Sequence, residues 1–366
     1  MKVCDYCGRV NEDEFAQCRE CGTALYREPE PAKEEAKSKG GASLEAPILN
    51  LDDLPGAFSF AEGFSRPDWK VIGKAIEDRW DDGNRRLPWD HAILQWTKKL
   101  ATELGGKYDV SRMGRCLLVS DLESQVDQRL LRSAESAMIK ISEALPGIAW
   151  KDFIGLHVIL VFGEDDDYYQ YLSWFYPEGE HPATAGVHIH KGYPHIACFF
   201  SRETSVAQTI THELVHHGIY HLRVPLWLHE GLAQTTERLL GSQRAGMLSD
   251  DLPERHHRFW DEKLIQKFWA GTSFDEPGES VELSYSLAEV LLQLLAKERE
   301  DFLAFIAAVD YYDAGQTAAL DCLGKCLGET VGTFLGPGNW RPQRKAIKEC
   351  WEKQRKKIEQ SKTSPN

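Results

Sequence analysis

The motif His212-Glu213-Leu214-Val215-His216 constrains the fold of this chain more than any other feature of its sequence. It lies in the segment 206–222, whose pattern predicts a helix, and positions i and i+4 of a helix are about 40° apart on one face. Both imidazoles can therefore reach one metal ion. Glu213 lies about 100° from His212, near enough to a metal-bound water to take its proton, yet too far round to be the natural third ligand. The motif predicts two metal ligands and a general base on one helix.

A second segment, Trp227-Leu228-His229-Glu230-Gly231-Leu232-Ala233, follows a break at Pro225, where a helix cannot continue. Together the two segments resemble the gluzincin zinc peptidases, the thermolysin-like and aminopeptidase-like group also called peptidase MA-like. The resemblance implies that Glu230 is the third zinc ligand. In organisation it covers residues from about 110 to 300, and about twenty residues carry its specificity.

Some residues depart from the patterns of related zinc peptidases. Thirteen residues separate His216 from Glu230, which resembles the compact members with a short connecting loop. The Gly-x-Met-Glu-Asn signature, with which aminopeptidases grip a free amino group, is absent from the candidate strand 195–200, so exopeptidase action has no support and the choice between endo- and exopeptidase stays open. The metzincin pattern requires glycine and histidine where the chain has Ile219 and Leu222, and it is therefore rejected.

The resemblance implies a particular division of labour among these side chains. His212, His216 and Glu230 would leave one position open on a catalytic zinc ion, and zinc lowers the pKa of its bound water to about 7. Glu213 would act as general base and pass the proton to the leaving amine. By analogy with related gluzincins, Tyr285 is the candidate for stabilising the oxyanion, with a core or capping role as the alternative.

Other polar residues near these two segments are candidates for supporting or surface roles. Glu237 lies seven residues after Glu230 on the same helical face, which makes it a candidate for orienting a histidine ligand. A histidine-rich hairpin precedes the metal helix and is interpreted as a surface feature, with binding of an extended peptide as the alternative. Its histidines are His188, His190 and His195. His217 and His221 have helical spacing, but they face away from the catalytic pair.

Four cysteines near the amino terminus form two Cys-x-x-Cys knuckles separated by ten residues. Each knuckle presents two thiolates from one turn, so the four can converge on one structural zinc ion. The ligands would be Cys4, Cys7, Cys18 and Cys21. This spacing predicts a zinc ribbon over residues 1–27, with a fold that depends on its metal. Residues 28–47 are rich in Glu, Lys, Ala and Pro, which is typical of a flexible linker.

The rest of the chain predicts an α+β fold, in which a small mixed β-sheet with helices precedes a mostly helical subdomain. Short apolar runs predict strands at 116–119, 157–162, 187–190 and 195–200. Amphipathic spacing predicts helices within 66–104, 121–145, 166–175, 206–222, 226–240, 256–270, 284–297 and 300–312. We divide this part into a helical amino-terminal region (48–110), a gluzincin-like catalytic domain (111–300) and a helical carboxy-terminal region with a basic tail (301–366).

Composition limits the partners and the compartment. The net charge is −14, and residues 341–366 carry +6 of charge against −20 for the remainder, so nucleic-acid binding by the whole chain is disfavoured. Apolar runs are too short to span a membrane, no signal peptide precedes the first knuckle, and the clustered cysteines suit a metal site in a reducing compartment, so we expect a cytoplasmic protein.

These patterns predict a zinc-dependent hydrolase, with a peptide or protein as its substrate. One alternative is an adaptor that binds nucleic acid or a protein partner through the ribbon and the +6 tail while the peptidase-like domain is inactive. A second alternative keeps the zinc but hydrolyses another amide or an ester. The presence of Glu213 favours the enzyme, since a structural metal site needs no general base.

Overall fold

The computed structural model describes residues 49–61, 63–176, 185–201, 206–240 and 251–356, and the backbone alone at 2–3, 10–11 and 357–363. The chain separates into two compact units, Met1–Pro47 and Ile48–Asn366. In the first unit, strand β1 (Lys2–Val3) pairs antiparallel with β2 (Val10–Asn11). The four predicted ribbon ligands lie outside the described residues, so the zinc ribbon stays a prediction. They are Cys4, Cys7, Cys18 and Cys21.

The second unit combines seven described strands with thirteen described helices. The strands are β3 (Phe58–Ala61), β4 (Phe64–Pro67), β5 (Asp109–Met113), β6 (Cys116–Ser120), β7 (His157–Phe162), β8 (Gly186–Ile189) and β9 (His195–Phe199). The helices are α1 (Trp69–Glu77), α2 (Arg86–Glu103), α3 (Ser124–Ala144), α4 (Asp165–Phe175), α5 (Val206–Ile219), α6 (Leu226–Leu240), α7 (Leu252–Phe259), α8 (Leu264–Ala270), α9 (Glu279–Leu295), α10 (Arg299–Ala308), α11 (Gln316–Leu323), α12 (Leu327–Leu335) and α13 (Arg344–Thr363).

Five of the strands form one mixed sheet in the order β5-β6-β7-β9-β8. The three inner strands are parallel, and β5 and β8 join the two sides antiparallel. Every residue of β6 and β7 is buried, as expected for strands that helices cover on both faces. The predicted α+β class with a small mixed sheet is therefore confirmed.

Alternate residues of a strand pack into two separate cores, because successive side chains point to opposite faces of a sheet. On β7, Ile159 and Val161 pack into the larger core, which includes residues of α3 and α5. Val158 and Leu160 pack into the second core, with residues of α2 and α4. The metal motif on α5 therefore lies on the first of these faces.

Helix α6 packs against α5 and α9, and it also contacts α8. Trp227 anchors α6, because its ring is fully buried and its indole N–H donates a 3.0 Å hydrogen bond to the carbonyl oxygen of Ala314. A single helix predicted over 256–270 is wrong: α7 ends at Phe259, and the Asp261 carboxylate accepts hydrogen bonds from the backbone N–H groups of Lys263 and Leu264, which starts a new helix.

The region 48–110, predicted as helical, contains α1 and α2 but also the hairpin of β3 and β4. The spacing that predicted a helix from residue 66 holds from Trp69 onward, where the Asp68 carboxylate caps α1 by accepting from the N–H groups of Lys70 and Val71. Across the described ranges, no helix has both the length and the apolar surface that a bilayer crossing requires.

Candidate metal centre

Helix α5 brings the two histidines of the motif together. Their ring centroids are 4.7 Å apart, and the Nε2 atoms of His212 and His216 are separated by 3.0 Å. Apolar residues of the same helix, Ile210 and Leu214, are buried in the larger core and fix the rotation of the helix. Both Nε2 atoms consequently point to one place at the edge of that core.

Helix α6 adds the third side chain that the resemblance implied. Oε2 of Glu230 lies 3.4 Å from Nε2 of His212 and 3.4 Å from Nε2 of His216. Among the described residues, this is the one group of three potential ligand atoms found within 4.8 Å of one another. The three side chains are 10–14% exposed, whereas Oε2 of Glu230 itself is buried.

The two distances from Oε2 of Glu230 match the spacing of ligands around a metal ion, whereas the 3.0 Å between the two Nε2 atoms is a hydrogen-bond distance. Ligands at about 2.0–2.1 Å around a tetrahedral ion lie about 3.3–3.4 Å from one another. Within the described part of the chain, the buried Oε2 of Glu230 has no partner with hydrogen-bond geometry, although both imidazoles are close. A buried carboxylate oxygen without a partner is costly. Two imidazoles and one carboxylate are also a donor set typical of catalytic zinc, so these residues fit that ion.

The charges around the cluster are strongly coupled. Burial lowers the pKa of His212, but the carboxylates of Glu230 and Glu237 outweigh it and raise that pKa to about 10. Burial acts in the opposite direction on Glu230, whose pKa nonetheless falls well below its usual value because of the adjacent His216 and His212. The cluster therefore provides a negative carboxylate that favours a cation, whether proton or metal.

Glu237 supports the cluster from the same helix as Glu230. Its Oε2 lies 3.2 Å from Nδ1 of His212, the nitrogen that faces away from Glu230. A carboxylate at this nitrogen favours the tautomer with hydrogen on Nδ1 and a lone pair on Nε2. Glu237 therefore occupies the orienting position that the sequence suggested.

Glu213 lies beside the cluster but outside the group of ligand atoms. Strand β8 approaches it closely, since a Cβ added to Gly186 would lie 3.3 Å from Cγ of Glu213. Burial raises the pKa of the Glu213 carboxyl, against the lowering effect of His216 and His212. A raised pKa moves a carboxylate toward the range in which it accepts a proton at neutral pH.

Tyr285, on α9, is also near the cluster. Its ring makes an edge contact with Phe274, with centroids 5.2 Å apart. Burial, and then the negative charges of Glu230 and Glu213, raise the pKa of Tyr285 above its ordinary value. The hydroxyl therefore stays protonated at neutral pH and can donate a hydrogen bond.

His229 packs against a ligand in a way that the sequence did not indicate. Its ring stacks on His216 with centroids 4.4 Å apart and an interplanar angle of 13°. Burial, and then the charge of His216, lower the pKa of His229 to about 3, so it is neutral at neutral pH. His229 directly precedes Glu230 in the sequence, which was the available signal. Successive residues of a helix point about 100° apart, so this adjacency did not predict a contact with His216.

A chain of three histidines lies behind α5. Nε2 of His217 is 3.0 Å from Nδ1 of His157, and Nδ1 of His217 is 3.1 Å from Nε2 of His188. These contacts connect α5 to β7 and β8, and none of the three histidines belongs to the group of His212, His216 and Glu230. Their large separation along the chain explains why the sequence showed no pattern.

The interpretation of the hairpin histidines as surface residues is only partly correct. His190 is exposed, whereas His188 is half-buried and His195 is 1% exposed. Nδ1 of His195 is 2.7 Å from the carbonyl oxygen of Tyr193, and its Nε2 is 2.8 Å from the hydroxyl of Tyr171. His195 is therefore a core residue with both nitrogens hydrogen-bonded.

Sequence comparison adds no relatives: no protein-family model matches the chain, and no curated protein matches it.

Proposed function

We propose that this chain is a zinc-dependent hydrolase that cleaves peptide bonds. The observation that carries the proposal is the convergence of His212, His216 and Glu230 on one point, with the Glu213 carboxylate next to that point and outside the ligand set. A purely structural site has no use for a buried carboxylate in this position. The peptide bond, as opposed to another amide or an ester, is chosen on the resemblance of the two segments to gluzincin peptidases.

Each side chain has a defined task in this proposal. His212, His216 and Glu230 would hold zinc, which supplies a Lewis acid that polarises a carbonyl and makes water more acidic. Glu213 takes the proton from the attacking water and delivers it to the leaving nitrogen. Tyr285 donates a hydrogen bond to the oxygen on which negative charge develops.

The test combines metal analysis with a peptide-library cleavage profile of the full chain. We expect two zinc ions per chain, one of which is lost when His212 and Glu230 are both replaced by alanine. Glu213→Gln keeps both zinc ions, because it alters no ligand, and it abolishes turnover. Cleavage at an unchanged rate by Glu213→Gln would refute the proposed mechanism.

The ribbon is tested in the same experiment. Replacing Cys4 and Cys7 by serine should remove the other zinc ion and leave the His212 cluster loaded. A single zinc ion in the intact chain would refute either the ribbon or the catalytic centre, and the two sets of variants show which. Salt-sensitive nucleic-acid binding that survives Glu213→Gln but needs the ribbon would support the adaptor alternative. The cytoplasmic location remains a prediction of the sequence.

A further inference from the structure

A cavity of about 130 Å³ lies at the turn between β8 and β9, and its described lining shares no residue with the cluster of His212, His216 and Glu230. It belongs to the opposite face of the sheet: His195 lines it and contacts Tyr171 and Phe175 of α4, whereas the next residue, Ile196, packs into the core that contains α5. The proposed hydrolysis uses none of its residues. Whatever the cavity binds is therefore separate from the metal chemistry.

The walls of the cavity are mainly aromatic rings. Trp96, Phe175 and Tyr193 are each at most 5% exposed, and half-buried Trp69 and Trp174 complete the lining. Trp69 contacts two other rings of the wall: its ring centroid lies 5.1 Å from that of Tyr193 and 5.4 Å from that of Trp96. A cavity of about 150 Å³ accommodates a benzene ring. The volume and the walls thus suit one planar ring in edge-to-face or offset contact.

The one charged side chain among the described lining residues, Lys191, is positive. Nζ of exposed Lys191 donates a 2.6 Å hydrogen bond to the carbonyl oxygen of Phe175, and an ammonium group has two further hydrogens to donate. The Arg66 guanidinium lies 4.0 Å from the centroid of the Trp174 ring. Burial lowers the pKa of His195 to about 4, so that ring is neutral. No described lining residue is acidic.

This charge distribution distinguishes between two kinds of ligand that aromatic walls can bind. Cages of aromatic rings often recognise cations, but a cation here would meet the Lys191 ammonium at close range. An anionic group at the mouth would instead pair with the Lys191 ammonium while its ring entered the cavity.

We propose that this cavity binds an aryl carboxylate, with the ring among Trp69, Trp96 and Tyr193 and the carboxylate paired to Lys191. The same chemistry occurs in a small free aromatic acid and in the carboxy-terminal aromatic residue of a peptide. Binding at this site requires no zinc and no turnover, so it stands or falls independently of the proposed hydrolase activity.

The test measures binding of phenylacetate and of its neutral counterpart phenylacetamide to the full chain by calorimetry or saturation-transfer NMR. We expect the acid to bind about tenfold more tightly than the amide, the size of one charge-assisted hydrogen bond. Lys191→Met should remove this difference and leave the weak amide binding intact. Lys345→Met, a change at an exposed lysine on α13, is the matched control and should preserve the difference.

Two further arms complete the design. Trp174→Ala should weaken the binding of both the acid and the amide, because it removes an aromatic wall and leaves the Lys191 charge in place. The peptide Ala-Ala-Ala-Phe, compared with its carboxy-terminal amide, distinguishes the source of the group: tighter binding than phenylacetate assigns the site to a peptide end, and weaker binding assigns it to a free acid. Equal affinities for acid and amide, an unchanged preference in Lys191→Met, or no binding of either at millimolar concentration would overturn the proposal.

Discussion

Gly231 allows two helices of the candidate metal centre to approach closely, and its replacement by alanine tests that role. Gly231 follows the candidate ligand Glu230 on α6 and faces α9. A Cβ at this position would lie 2.8 Å from the carbonyl oxygen of Ala288 and 3.2 Å from its carbonyl carbon. These are backbone atoms, so no side-chain rotation can relieve the collision.

The size of the effect follows from this contact. Carbon and oxygen atoms settle at about 3.3–3.6 Å, so Gly231→Ala should move α6 from α9 by roughly half an ångström or more. Overpacking of this kind costs about 1–3 kcal/mol, and the better helix propensity of alanine returns up to about 1 kcal/mol. We expect the free energy of unfolding to fall by about 1–2 kcal/mol. A metal site tolerates about 0.5 Å of displacement, so zinc affinity should fall at least tenfold.

Thermal unfolding and competition with a zinc chelator measure the two effects. A loss of about 1–2 kcal/mol corresponds to a decrease in Tm of a few degrees. Gly83→Ala is the matched control, because a Cβ there meets no atom within 4 Å in the described structure. If Gly231→Ala bound zinc as tightly as the parent chain and unfolded at the same temperature, the inferred contact between α6 and α9 would be refuted.

Three other changes test separate parts of the structure. Glu237→Ala should weaken zinc binding about 10- to 100-fold, measured by chelator competition, because His212 loses the partner of its Nδ1. Tyr285→Phe should retain zinc and lower kcat about 10- to 1,000-fold in the peptide assay, whereas unchanged kcat would assign Tyr285 to the core. Burial, and then Arg255, lower the pKa of His256 from 6.5 to about 4. The contribution of His256 to stability is therefore fully present above about pH 6.5 and is lost as the pH falls toward 4. Chemical denaturation measures this effect. From about pH 7.5 to pH 5, the free energy of unfolding should fall by about 2 kcal/mol more in the parent chain than in His256→Gln.

The tautomer of His256 explains why its protonation would be unfavourable. The indole N–H of Trp260 donates to its Nδ1 at 2.9 Å, so that nitrogen carries no proton, and Nε2 can donate to the Ser286 hydroxyl at 3.0 Å. A proton added to Nδ1 would break the bond from Trp260 inside the core. An equal dependence of stability on pH in His256→Gln would contradict this explanation.

The parts of the fold that the sequence predicted are those with local signals. Strand β7, which is apolar after His157, and the helices α5 and α6 were placed within a few residues, because periodicity and the Pro225 break act over short distances. Strand β5 was missed, since only Val110 and Met113 of its five residues are apolar, and their spacing of three does not match the alternation that predicts a strand.

The candidate metal centre shows the same division between local and distant contacts. The pairing of His212 and His216 was predictable because side chains four residues apart lie on the same face of a helix. The position of Glu237 was predictable because it lies seven residues after Glu230, on the same face. Contacts of His217 with His157 and His188 depend on how α5 packs against the sheet, and no spacing rule encodes that packing.

Gly231, which follows Glu230, has both a local signal in the sequence and a contact with a distant part of the chain. In the sequence, Gly231 belongs to a segment that indicated a metal ligand by resemblance alone. In the structure its missing side chain lets α6 rest on the backbone of α9, which carries Tyr285. The residue thus sets the distance between the helix that supplies a ligand and the helix that supplies the candidate hydroxyl. For this reason a single methyl group at position 231 should disturb zinc affinity and turnover together, whereas Tyr285→Phe should disturb turnover alone.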